Sequence, residues 1–205
     1  MSAPQKVEIH EYRGVEDLVY AKVTKDDATG YETGDVKSLA GVATVQKSTA
    51  VSTATHYYDN VPAIVISATG ADTITIGVSA IPLEIQAELS GNYYDETTGA
   101  MIEGEPKHNY FAVGYKTKKE NNDYVYVWRY KGMWTQTTDT EHNTEDDGTD
   151  ANGQEIVFTG VNTNHKFTKT GETAKGLVVD VAAGLADVSA FFDTVTTPDT
   201  LQAKS

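Results

Sequence analysis

The chain has no cysteine. That excludes a disulfide framework and any thiolate metal site, and it suits assembly in a reducing cytoplasm. Long apolar runs are also missing. No stretch approaches the ~20 apolar residues of a membrane span. The best candidate, Leu177 to Ala186, is interrupted by Asp180. The opening MSAPQKVEIHEYRG contains no apolar segment of the signal-peptide kind, so no leader is expected. Positive charge is scarce, with 16 Lys and Arg against 30 Asp and Glu and a formal net charge of −14. Proteins that grip nucleic acid need Lys and Arg for the phosphates, so this balance disfavours that class. By itself the acidity implies no more than solubility.

Catalytic patterns are absent as well. There is no Gly-x-Ser-x-Gly, no Walker loop and no dinucleotide fingerprint. No two of His10, His56, His108, His142 and His165 share a metal-site spacing. The stretch Asp146 to Glu155 echoes part of a calcium-binding loop. Aligning Asn152 and Gly153 with that pattern puts Gly148 at the first ligand position and Thr159 where a bidentate Glu belongs. The match fails at both ends and the stretch reads as an acidic loop. No catalytic, metal-binding or cofactor-binding residue is assigned, and the chain reads as non-enzymatic.

The residues that are present point to an all-β domain. The chain has 205 residues, 39% of them hydrophobic, which is enough for one sizeable core. Twelve Tyr, abundant Thr and Val, and 17 Gly against 5 Pro favour strands and turns. The clearest strand is DYVYVWRYKGMW. There Tyr124, Tyr126, Trp128 and Tyr130 alternate with Val125, Val127, Arg129 and Lys131. Asn109 to Lys118 precedes it, and the Asn121-Asn122-Asp123 turn predicts an antiparallel hairpin.

Other expected strands are Leu18 to Val23, Gly41 to Val45, Val61 to Ser67, Asp72 to Val78, Glu155 to Thr163 and Lys175 to Val181. A turn at Thr69 and Gly70 would part the two central ones. Lys25 to Lys37 reads as a turn-rich connection. Ile81 to Leu89 predicts one helix, with Pro82 in its first turn and Gly91 closing it. Ile85 and Leu89 would face a sheet, and Glu84 and Glu88 would face water. Val188 to Val195 reads as a final helical turn or strand. The expected organisation is an N-terminal arm over 1–17, one β domain over 18–196 and a frayed tail over 197–205.

Two features suggest contact surfaces. Gln46 to Asn60 is rich in Ser, Thr and Ala and ends in His56-Tyr57-Tyr58, which reads as a long protruding hairpin or loop. The arm and this segment are expected to reach neighbouring subunits. Charge is also blocky. Ser48 to Pro106 and Gly132 to His165 hold no Lys or Arg, whereas Lys107, Lys116, Lys118, Lys119, Arg129 and Lys131 cluster. That positive island is either a solvated hairpin or a surface that meets acidic groups on another copy. His56, Tyr57, Tyr58, Lys116, Lys118, Lys119, Arg129 and Lys131 are therefore the candidate inter-subunit residues.

The strand Tyr-Val-Trp-x-Tyr-Lys-Gly over 126–132, the acidic loop after it and Gln154-x-Ile156-x-Phe158-Thr159 come in an order and spacing that resemble the major tail tube proteins of long-tailed, non-contractile bacteriophages. The segments Ile81 to Gly91, Phe111 to Met133, Thr144 to Gly160 and Phe191 to Val195 carry most of the resemblance. It implies a β-sandwich or partly closed barrel with a flanking helix. It further implies hexameric rings stacked into a virion tail tube, assembled in the host cytoplasm. Partners would be other copies of the chain and tape-measure, tail-terminator and distal tail proteins. DNA would pass through without tight binding, and no membrane would be involved. Two alternatives stand beside it: a carbohydrate-binding or decoration β-sandwich on a virion, and the tube of a contractile or secretion apparatus.

Overall fold

The computed structural model describes residues 8–105, 107–140 and 153–204, with backbone alone for 136–140. The acidic stretch at 141–152 and the first seven residues of the expected arm lie outside the described residues.

The protein is mainly β with one helix, as expected. In chain order the strands are β1 (Tyr12–Asp27), β2 (Gly30–Thr33), β3 (Lys37–Ser38), β4 (Val42–Tyr58) and β5 (Val61–Val78). After α1 (Leu83–Ser90) come β6 (Tyr93–Asp95), β7 (Ala100–Ile102), β8 (Phe111–Lys119), β9 (Tyr124–Thr140), β10 (Gln154–Val161) and β11 (Gly176–Asp180). One antiparallel sheet runs β2-β1-β8-β9-β10-β5-β4, with β11 added to β9 and β3 to β1. It curls until β1 and β4, from opposite sides of the sheet, pack together, giving a partly closed barrel.

β9 explains the layering. Its odd residues Val125 and Val127 point inward to a core with Leu18, Ile74, Ile76, Phe111, Ile156 and Phe158. Its even residues Trp128 and Tyr130 point outward, where the C-terminal segment covers them with Phe167, Phe191 and Val195. Both faces of β9 are therefore dry, which is why valines alternate with aromatics rather than with polar residues. The outer cover is tied by polar atoms. Trp128 Nε1 donates to the Phe191 carbonyl at 3.0 Å, and Tyr130 OH donates to the Thr196 carbonyl at 3.1 Å. Gly132, the glycine of the Tyr-Lys-Gly motif, has no room for a side chain. An added Cβ would overlap the Phe158 ring and the Thr159 carbonyl.

Several expectations are corrected. β1 begins at Tyr12, inside the expected arm, because residues 12–18 pair with β8 along Lys116 to Lys119. The turn-rich connection contains β2, and Val61 to Val78 is one strand without a turn at Gly70. Gly70 instead lies beside Ala50 at a register shift of the β4–β5 ladder. Glu88 is half-buried rather than fully in water, accepting from Tyr20 OH and Lys37 Nζ, each at 2.8 Å. Val188 to Val195 forms turns rather than a helix or strand, with Phe191 and Val195 buried. The tail is anchored. Asp199 accepts from the backbone N–H groups of Thr168 and Lys169, and Ala203 bridges Ala186.

Gly132→Ala should lower the unfolding free energy by about 2 kcal/mol, because the site cannot relax around a methyl group set against backbone and a packed ring. Urea unfolding followed by Trp fluorescence checks this. An unchanged midpoint would contradict the close approach.

Candidate assembly surface

β4 and β5 pair continuously from Val42 and Val78 out to Tyr58 and Val61. Only the inner part of this long hairpin belongs to the barrel. β10 covers the edge of β5 over Asp72 to Val78 and nothing beyond. Among the described residues no strand pairs with the outer edge of β4. From Val51 to Gly70 the hairpin is thus a two-stranded ribbon, and every residue in it is exposed. Its residues are not those of a solvated surface. Val51, Val61, Ile64, Val65 and Ile66 are all exposed, on both faces of the ribbon. Between Lys47 and Asp72 the one formally charged residue is Asp59, at the tip. Proteins normally guard free strand edges with Lys, Pro or bulges, and exposed apolar patches mark contact sites. Here the guards are Pro62 and the shifts in register.

The ribbon leaves the barrel at Asp72, whose side chain is 4% exposed. Thr49 Oγ1 donates to it at 2.9 Å and Lys175 Nζ at 3.0 Å, with Lys47 Nζ at 3.6 Å and Arg129 Nη1 at 4.0 Å. Lys175 also donates to the Gly70 carbonyl. This knot joins β4, β5, β9 and the segment before β11, so the root of the ribbon is fixed. Burial pushes the Asp72 carboxyl up, but the Lys175 and Thr49 hydrogen bonds and the nearby cations outweigh it and hold it below the usual carboxylate range.

The candidate residues separate into two groups. His56, Tyr57 and Tyr58 come together at the ribbon tip, with the two tyrosines 65% and 58% exposed. The positive island is instead engaged within the chain. Lys116 pairs with Asp17 at 2.6 Å and Glu16 at 3.4 Å, Lys119 with Asp180 at 2.5 Å, and Lys131 with Asp26 at 2.6 Å. Lys118 lies over the Tyr124 ring. These side chains belong to β8 and β9, the centre of the sheet, rather than to a surface hairpin. The Lys131–Asp26 pair is nearly closed to solvent, and Asp26 also accepts from the N–H groups of Asn164 and His165. Sequence reading missed the apolar run of β5 as part of the ribbon, and it missed Asp59. The signal available was the long charge-poor stretch around them.

Burial raises the Asp26 carboxyl, but the Lys131 ammonium and the two backbone N–H groups outweigh it, and its pKa lies below the ordinary value. A folded-state pKa below the unfolded one gives stability that is present above the unfolded pKa and lost as pH falls through the folded one. Unfolding free energy should therefore hold steady at neutral pH and drop below about pH 4. Asp26→Asn should cost about 3 kcal/mol at pH 7, since it strands a buried ammonium, and should flatten the acid limb. Denaturant titrations across pH check this. Parallel acid limbs for wild type and Asp26→Asn would contradict the assignment.

No protein-family model matches the chain, and no curated protein matches it either.

Proposed function

We propose that this protein is a structural subunit that polymerises, as stacked rings, into the tail tube of a long-tailed bacteriophage, whose channel conducts the genome. The observation that carries the reading is the β4–β5 ribbon. A rigidly rooted, nearly uncharged ribbon with two bare edges and two apolar faces is poorly suited to a free monomer. It is well suited to pairing and packing between copies, where strands from several subunits close on one another and remove the edges. Such contacts are head-to-tail, and head-to-tail contacts generate rings and filaments.

The charge distribution supports the same reading. Lys25, Lys37, Lys47, Lys116, Lys119, Lys131 and Lys175 all pair with carboxylates of their own chain, and the 16 Lys and Arg are outnumbered by 30 Asp and Glu, which weakens any grip on phosphates. An acidic channel whose cations are neutralised lets DNA slide. The order of motifs described above supports a phage tail in particular. A sugar-binding decoration module is less well supported, since Trp128 and Trp134, the side chains best able to stack on a sugar, are buried.

Purified protein at rising concentration should form rings or hollow tubes by negative-stain electron microscopy. A variant in which residues 51–69 are replaced by Asn-Gly should fold, keep the Asp72 knot and stay monomeric. Long tubes from that variant would remove the ribbon from assembly. Assembled tubes should also retain no duplex DNA at physiological salt. Micromolar retention that weakens steeply with salt would contradict the sliding channel.

A further inference from the structure

We propose that the ribbon tip of one copy docks into a two-arginine cavity of a second copy, with Asp59 meeting Arg13 and Arg129; this rests on the assembly reading above. The cavity measures about 610 Å³ and is lined by residues of β1, β4, β8, β9 and β11. Its apolar wall includes Val15, Val45, Tyr115 and Val127. The charged residues that line it are Arg13 and Arg129, with no carboxylate between them. That is unusual in a chain carrying a net −14.

Neither arginine is fully satisfied at home. Arg129 Nε is buried and has no hydrogen-bond partner. The nearest carboxylate to the Arg129 guanidinium, Asp72, lies 4.0 Å away and already serves Lys175 and Lys47. Arg13 is exposed at the mouth and pairs with no carboxylate among the described residues. A buried guanidinium donor without an acceptor costs free energy that an incoming carboxylate would recover.

The ribbon tip has the complementary chemistry. Asp59 and Asn60 turn the chain with φ of 50° and 64°, the tight two-residue geometry that thrusts the turn side chains forward. Asp59 is the single charge of the ribbon, and Tyr57, Tyr58 and Val61 beside it are exposed apolar surface for the cavity wall. The tip cannot serve its own cavity. Roughly 13 residues separate Val45 at the cavity from Tyr58 at the tip, which at ~3.4 Å each is ~45 Å of extended, paired strand. The contact therefore forms between copies. Each copy offers one tip and one cavity, so the contact repeats without limit or closes as a ring.

The absence of native cysteine gives a direct test. A chain carrying both Arg13→Cys and Asp59→Cys, assembled and mildly oxidised, should give a reducible ladder of dimers, trimers and higher species on a denaturing gel. Each single variant has no thiol opposite its own in the docked contact and should stay monomeric on the gel. Monomers alone from the double variant, oxidised at a concentration where sedimentation shows that variant assembled, would overturn the docking. As a second readout, Arg13→Glu and Asp59→Lys should each raise the concentration needed for assembly about tenfold or more. Their combination should return it to within about threefold of wild type. Circular dichroism controls for folding, since neither residue has a packing partner. Single variants that assemble like wild type would overturn the docking and leave the tube reading intact. Wild type that stays monomeric at every concentration would overturn both.

Discussion

A β-strand needs a partner along each edge and cover for each apolar face, and among the described residues the β4–β5 ribbon beyond Asp72 has no partner on its outer edges and no cover on its faces. The barrel satisfies its own strands through β10 and β8–β9, and it closes its inner core by curling β1 toward β4. The second core, under the C-terminal segment, stiffens β9 from the other side. The result is a packed body from which a two-stranded ribbon projects, fixed at its root. A flexible loop would bear a large entropic cost on ordering at an interface, whereas a preformed ribbon bears little.

The ion pairs serve the same end. Asp72 fixes the ribbon root with four polar partners, and Asp26 locks the end of β1 to Lys131 of β9 and to the loop before β11. Their worth lies in geometry as much as in energy. A buried pair contributes little relative to an apolar pair of the same shape, yet it tolerates only one arrangement. Spending the cations internally also leaves the outer surface acidic. Like-charged copies would repel at long range, so any association would be confined to places where specific contacts outweigh the repulsion.

Much of the fold was legible in the sequence where local pattern and tertiary context agree. The alternation from Tyr124 to Lys131 marks β9, the Asn-Asn-Asp turn marks the hairpin with β8, and Gly91, with φ of 74°, closes α1. The sequence misled where context overrides pattern. Thr69-Gly70 reads as a turn, but there the glycine accommodates a register shift against Ala50. The polar residues at 12–17 read as an arm, yet Glu16 and Asp17 are matched to Lys116 across the β1–β8 ladder. The site was half legible. His56, Tyr57 and Tyr58 stand out by composition, but a bare edge is a property of topology, and no local pattern encodes which strand lacks a neighbour.

Backbone hydrogen exchange over Val51 to Gly70 tests the central claim most directly. In dilute monomer the outward amides of both ribbon strands have no cover, while those facing across the β4–β5 ladder are held only by a two-stranded ribbon. They should exchange rapidly there and slow by about a hundredfold or more at concentrations where the protein self-associates, while amides of β8 and β9 stay slow throughout. Equal ribbon exchange across a self-association transition would contradict the account, because copies would then be meeting through some other surface.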